Sequence, residues 1–198
     1  KKRPSNRHGK PFGHRLDHDC GLDDTRRALA DSIANRASDL TEILRAIHAH
    51  PETAYRERFA SSTLVEAVRS AHPDLTVTHP AFGIDTAFAV ELTSADYDPE
   101  KHRTIAILSE YDALPGIGHG CGHNVIATAG LGAFLALTDT LAATPNAFSG
   151  RVLYYGTPAE ESEAGKELMA RAGAFDSVDA AIMVHPYFMD VADQAWLG

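Results

Sequence analysis

Apolar residues in the first part of the chain recur with helical spacing. From Asp24 to His50-Pro51 the pattern predicts a helical stretch with one buried face. The apolar positions in this stretch are Leu29, Ile33, Leu40, Ile43, Leu44 and Ile47. A second helix is predicted over residues 58–71.

Beyond these helices the pattern changes to shorter apolar runs separated by polar loops. Strands are predicted at residues 75–78, 84–92, 104–108, 151–155 and 180–184, and further helices at residues 125–141 and 163–172. The last three strands are nearly continuous apolar runs, as expected of strands covered on both faces. Because strands alternate with helices, we expect an α/β fold of three layers, with a mostly parallel sheet and helices on both faces.

Composition and charge narrow the class of protein. A chain of 198 residues can form one domain with a sizeable core, and its net charge of -9 argues against a nucleic-acid surface. No apolar run approaches the length of a membrane span, and no signal peptide is predicted. Two cysteines, Cys20 and Cys121, do not make a disulfide framework, so we expect a cytoplasmic location. The chain does not begin with Met, which suggests a fragment or a processed form.

The first 24 residues are polar and weakly basic and lack periodic apolar positions. We predict that residues 1–24 form a flexible tail and that the folded domain comprises residues 25–198. The basic side chains of the tail are expected to be solvated; a targeting or nucleic-acid role is the alternative.

Three segments with metal-binding chemistry follow predicted strands. The first carries Asp112, which either holds a metal-bound histidine by a hydrogen bond or caps its loop. It continues into a glycine-rich loop in which Cys121 and His123 flank Gly122, so that both side chains can reach one ion. His119 in the same loop is a weaker candidate.

The other two segments follow the next predicted strands. Glu160 and Glu161 are adjacent, so one carboxylate can bind metal while its neighbour faces a substrate water; alternatively, they begin the next helix. His185 ends an apolar run, where a lone histidine is unusual unless it has a partner. Thiolate, imidazole and carboxylate together favour a hydrolytic metal site over a structural zinc site.

In order, these segments resemble the M20 family of metallopeptidases and amidohydrolases. The chain contains Tyr-Asp-Ala-Leu-Pro, Gly-His-Gly-Cys-Gly-His-Asn, Pro-Ala-Glu-Glu and Val-His-Pro. The Cys-Gly-His element resembles the subfamily that carries this motif, which includes aminoacyl-amide, aminobenzoyl-glutamate and auxin-conjugate hydrolases. Ser-Glu-Tyr-Asp from Ser109 is most similar to the branch with a dipeptidase of the peptidase M20 domain-containing 2 type. His50-Pro51-Glu52-Thr53 also resembles the end of the family's N-terminal helix, so the likeness runs from about Leu29 to the end.

The resemblance implies the site and its chemistry. It implies a zinc-exopeptidase-like catalytic domain that binds two divalent ions. Zinc is the expected metal, and manganese and cobalt are the alternatives. The implied ligands are Cys121, His123, Glu161 and His185. Glu160 matches the general base, and Asp112 matches the aspartate that supports the site. The implied reaction is hydrolysis of the amide bond of a dipeptide or N-acyl amino acid by a metal-activated water.

The resemblance also implies that something is missing from the 198-residue chain. The family has a further histidine ligand and a lid or dimerisation domain beyond the point where this sequence stops. We therefore expect residues 25–198 to be the N-terminal part of a catalytic domain, a poor enzyme alone, and the full-length protein to be a homodimer.

Three other functions have less support in the sequence. A dinucleotide-binding module fits poorly, because His123 stands where the third glycine of the fingerprint belongs. A cysteine hydrolase using Cys121 and His123 would leave the glutamates unexplained. The remaining alternative is a non-catalytic metal-binding or assembly protein. We expect no nucleic-acid or membrane partner.

Overall fold

A computed structural model describes residues 17–187. Three helices come first: α1 (Asp17–Asn35), α2 (Ala37–Ala49) and α3 (Arg58–Ala71). α1 begins inside the segment that we predicted to be a flexible tail, and residues 1–16 of that tail lie outside the described residues. The predicted first helical stretch is two helices divided at Arg36, whose guanidinium binds Asp139. α3 has the predicted bounds.

The rest of the chain alternates strands and helices. In order, the elements are β1 (Val77–Thr78), β2 (Phe88–Thr93), β3 (Thr104–Ser109), α4 (His123–Ala143), β4 (Arg151–Gly156), α5 (Glu160–Glu163), α6 (Gly165–Arg171) and β5 (Ala180–Ile182). The helix predicted over residues 163–172 corresponds to α6, and the short α5 precedes it, separated from it by Ala164 in a left-handed conformation.

The five strands form one sheet in the order β1-β2-β4-β3-β5. β3 is parallel to both β4 and β5, whereas β2 is antiparallel to β4 and to β1. The α/β prediction is confirmed, but the sheet is mixed rather than mostly parallel. The physical reason is that β2 lies beside β4 and not beside β3, and its backbone pairs antiparallel with β4 along all six residues.

Side chains of the central strands alternate between two apolar clusters. Ile107 and Tyr154 face the larger cluster, with α2, α3 and α4. Leu108 and Tyr155 face a smaller cluster that includes Met169 of α6. The sheet therefore has helices on both faces, as predicted.

α4 is the central helix of this fold. Its length and hydropathy would suit a membrane span, but 67% of its most apolar window is buried inside the protein. Burial against the sheet and the N-terminal helices explains its apolar sequence.

β5 differs from its prediction as a core strand. It pairs with β3 at the edge of the sheet, and all three of its residues are exposed. Ile182 is 56% exposed and the following Val184 is 67% exposed. Within residues 17–187, nothing covers this apolar edge, although its composition is that of a buried strand.

Candidate metal centre

The candidate site residues meet at the carboxyl ends of the parallel strands. Asp112 follows β3, Glu160 follows β4 and His185 follows β5, while His123 begins α4. Because β3 is parallel to β4 and β5, these strand ends lie along one edge of the sheet. The parallel part of the topology thus brings together groups that are far apart in sequence.

His123 lies at the centre of the site and is fully buried. Its Nδ1 is 3.1 Å from Oδ1 of Asp112, and the other oxygen of Asp112 accepts a hydrogen bond from the backbone N–H of Glu161 at 3.0 Å. If Nδ1 carries the proton it donates to Asp112, and the Nε2 lone pair is then free for another partner. Asp112 therefore fixes both the ring and the loop after β4.

Three carboxylates surround Nε2 of His123. An oxygen of Glu110 is 3.4 Å away, one of Glu161 is 3.6 Å away and one of Glu160 is 3.7 Å away. The side chain of Glu160 is 41% exposed, whereas that of Glu161 is 17% exposed. The two adjacent glutamates thus share the pocket but differ in their access to solvent.

Cys121 and His185 complete the site on its exposed side. Cys121 Sγ is 3.6 Å from His185 Nε2, and the rings of His185 and His123 meet edge to face with centroids 5.9 Å apart. Gly122 has φ +89°, and a Cβ there would lie 2.9 Å from Pro186. The absence of a side chain at Gly122 therefore lets the Cys-Gly-His segment pack against the loop that carries His185.

The donor atoms form two overlapping groups that share His123. In one group, atoms of Cys121, His123 and His185 lie within 4.8 Å of one another; in the other, atoms of Glu110, His123 and Glu160 do. Glu161, which we predicted as a ligand, reaches the site through the 3.6 Å approach of its oxygen to His123. The four predicted ligands, the predicted base and Asp112 all converge.

Three buried atoms at this point have no hydrogen-bond partner among the described residues: Glu110 Oε2, His123 Nε2 and Glu161 Oε1. Buried polar atoms are normally paired, because desolvation without a hydrogen bond is costly. Unpaired carboxylate and imidazole acceptors that face one another are explained by a cation. The donor set also matches the imidazole, thiolate and carboxylate ligands of borderline metals.

Burial and the negative charge of the pocket shift the pKa values of two predicted ligands, Cys121 and His123. Burial raises the pKa of Cys121 to about 11, aided by Glu161 and the other nearby carboxylates. Burial alone would lower the pKa of His123, but its hydrogen bond to Asp112 and the surrounding carboxylates outweigh burial and raise it. A divalent cation would reverse this balance, because a coordinating thiol loses its proton.

His119, the weaker candidate, does not join either donor group. It is half-buried, and its ring stacks on His48 with centroids 6.2 Å apart. The segment around Glu52 is structural: its carboxylate accepts the backbone N–H groups of Phe59 and Ala60 and so caps α3.

Sequence reasoning missed three residues of the site region. Glu110 belongs to the Ser-Glu-Tyr-Asp motif but was not predicted as a site residue, although it is almost fully buried beside His123. Lys166 forms an ion pair with Glu110. Glu57, also buried, accepts a hydrogen bond from the backbone N–H of Ala159, next to Glu160. The adjacent strand end was a signal for Glu110; none marked Lys166 or Glu57.

Two curated proteins resemble most of this chain in sequence. No protein-family model matches the chain. It is 37% identical over 179 residues to the Xaa-Arg dipeptidase of Mus musculus, a match that covers 85% of this chain and 41% of that protein. It is 36% identical over 177 residues to a p-aminobenzoyl-glutamate hydrolase polypeptide of Escherichia coli, covering 81% of this chain and 35% of that protein.

A solved structure supports the fold. A dinuclear metal binding peptidase from the M20 family, from Bacillus subtilis, superposes with a TM-score of 0.60 at 21% identity, covering 73% of this chain and 41% of that one. The fold and the clustered donors define an α/β protein with a candidate metal centre at the ends of its parallel strands. With the sequence comparisons, they confirm the predicted family: the chain belongs to the M20 family of metallopeptidases and amidohydrolases. It spans about two fifths or less of the length of these curated relatives.

Proposed function

We propose that the protein is a metal-dependent amidohydrolase that cleaves the amide bond of a dipeptide or an N-acyl amino acid. The observation that carries this proposal is the set of unpaired, buried acceptors that converge at the strand ends. The names of the relatives support it, since a dipeptidase and an aminobenzoyl-glutamate hydrolase both act on an amide bond.

In this proposal, Cys121, His123, Glu161 and His185 hold two divalent ions, with zinc favoured by the thiolate and manganese or cobalt as alternatives. Nε2 of His123 carries one lone pair and can bind only one of these ions, so the second ion would depend on the other donors in the two groups. When bound, such ions supply Lewis-acid polarisation of the amide carbonyl and acidify water. Asp112 orients His123 through Nδ1.

Glu160 is the proposed general base. It is more exposed than Glu161, and its oxygen reaches the same buried imidazole, so it can face a substrate from the solvent side. Its carboxylate takes a proton from the attacking water and then delivers that proton to the leaving amine. This double role needs a carboxylate near the ligands that is itself accessible, which Glu160 provides.

We further propose that the whole protein is a cytoplasmic homodimer. The net charge of -9 argues against nucleic acid as a partner. The pocket's exposed side, formed by Cys121 and His185, is the proposed entrance.

The proposed function is tested with Glu160→Gln. In the complete protein, turnover of a panel of dipeptides and N-acyl amino acids should fall by about two to four orders of magnitude, the usual contribution of general base catalysis, while bound metal is unchanged. Glu163→Gln is a matched control, because Glu163 is an exposed glutamate of the same helix.

The outcomes separate the candidate functions. Parallel loss of metal and turnover would make Glu160 a ligand instead of a base. Metal binding without turnover of any amide by the complete protein would favour the alternative, a non-catalytic metal-binding protein.

A further inference from the structure

Glu110 is a buried carboxylate that the predicted ligand set does not use. It follows β3 directly and is 1% exposed. Its Oε2 has no hydrogen-bond partner in the described part of the chain and lies 3.4 Å from Nε2 of His123, which is also unpaired. A bare carboxylate oxygen in such a place is costly unless a positive charge faces it.

The other oxygen of Glu110 already has a positive partner. Lys166 of α6 pairs with Oε1, and its side chain is 31% exposed. The position of Lys166 is set by the preceding Gly165, where a Cβ would lie 1.9 Å from the carbonyl oxygen of Pro158. Only glycine allows α6 to begin so close to the loop that carries Glu160.

We propose that Glu110 is a further cation-facing carboxylate of the metal centre, and that Lys166 is the positioning residue that holds it and limits the pocket's affinity for divalent cations. This inference rests on the proposed metal centre. One oxygen of Glu110 faces the fixed ammonium, and the other faces the donor group of His123 and Glu160.

The two residues have opposite effects on a bound cation. Glu110 adds a negative charge next to His123, whereas Lys166 cancels that charge from the far side of the same carboxylate. A divalent ion is attracted by the first and repelled by the second. Removing Glu110 should therefore weaken cation binding, and removing Lys166 should strengthen it.

The test measures Zn²⁺ affinity by competition with a chromophoric chelator, after metal is stripped from the protein. Glu110→Gln, which keeps the shape of the side chain, should lower the affinity about 10- to 100-fold. Lys166→Met should raise it about tenfold or more, because a neighbouring positive charge is lost. Lys166→Arg keeps the charge and should retain the affinity of the unchanged protein.

Two controls separate this inference from the proposed function. Cys121→Ser should lower Zn²⁺ affinity if the metal centre itself is real. Glu167→Gln, next to Lys166 in α6 and paired at the surface with Arg171, should leave it unchanged. Circular dichroism of each metal-free variant checks folding, and Glu110→Gln tests the inference by itself if Lys166→Met does not fold.

A purely structural ion pair would give a different result. Both variants would then lower the stability of the metal-free protein and leave Zn²⁺ affinity unchanged, which overturns the inference while Cys121→Ser still upholds the metal centre. Weaker Zn²⁺ binding in Lys166→Met would overturn the role given to Lys166. If the unchanged protein binds no Zn²⁺, the proposed function and this inference both fail.

Discussion

At the scale of single residues, Asp112 connects the parts of the site. Its side chain is fully buried, and its two oxygens accept hydrogen bonds from the His123 ring and the Glu161 backbone. Burial alone would raise the pKa of Asp112, but these partners more than offset burial and lower it. The carboxylate is therefore ionised at neutral pH and can orient His123.

Asp112→Asn should lower Zn²⁺ affinity about 10- to 100-fold, the usual effect of changing a group that orients a metal-bound histidine. An amide keeps one acceptor oxygen, but its NH₂ group then faces a donor. Chelator competition measures the change, and Asp85→Asn, which alters an exposed aspartate, is the control. An unchanged affinity would mean that Asp112 only caps its loop.

At the scale of elements, Glu57 supports the turn between β4 and α5. Ala159 has φ +61°, a strained conformation for a residue other than glycine, and its N–H donates to Glu57 Oε1 at 2.9 Å. The hydroxyl of Thr86 donates to the other oxygen at 2.9 Å. These hydrogen bonds hold the turn that presents Glu160.

At neutral pH, two substitutions of Glu57 should change the free energy of unfolding in opposite directions. Glu57→Ala leaves two buried donors unpaired and should cost about 1–3 kcal/mol in the free energy of unfolding. Glu57→Gln can keep both contacts, because its oxygen accepts from Ala159 and its amide donates to Thr86. Denaturant unfolding of both variants measures the difference.

The pH dependence of Glu57→Gln follows from the pKa of Glu57. Burial raises this pKa above its ordinary value of 4.5, so the charged form is disfavoured in the folded protein. The part of the stability that depends on the proton of Glu57 is therefore fully present below the unfolded pKa and is lost as pH rises through the folded pKa, whereas the hydrogen bonds to Ala159 and Thr86 remain. Relative to the unchanged protein, Glu57→Gln should therefore gain stability between acid and neutral pH. A constant difference across that range would contradict this account.

At the scale of the whole molecule, Asp139 of α4 joins the N-terminal helices to the core. It accepts hydrogen bonds from Ser32 of α1 and from Arg36 between α1 and α2, and it lies 2.9 Å from Nε2 of His72 at the end of α3. Partial burial alone would raise its pKa, but the contacts with Arg36 and Ser32 outweigh burial and lower it.

Asp139→Asn should lower the free energy of unfolding by about 1.5–3 kcal/mol at neutral pH, the range for hydrogen bonds to charged groups. Because the folded pKa lies below the ordinary value of 3.8, this stabilisation is present above that value and is lost as pH falls through the folded pKa. Urea unfolding at neutral and acid pH measures both effects. Asp31→Asn, an exposed change on α1, is the control. A loss that persists at the lowest pH would indicate a packing defect instead.

Much of the fold could be predicted because local patterns encode local structure. The amphipathic periodicity of α3 and the short apolar runs of β3 and β4 fix the type and approximate bounds of those elements. The direction of β2 was not encoded in its own residues. It depends on pairing with β4, which the residue pattern of β2 does not specify.

For the site, too, the sequence determined some features and the tertiary structure decided others. The sequence by itself determined the element types, the M20 family and the residue types at three strand ends, because motifs record which donors the chain carries. Only the tertiary structure decided that Glu110 faces His123, that Lys166 opposes it and that Glu57 supports Ala159. These contacts join residues that are 13 to 102 positions apart in the sequence. Such contacts arise from the packing of strand ends and helices against one another, which local spacing does not specify.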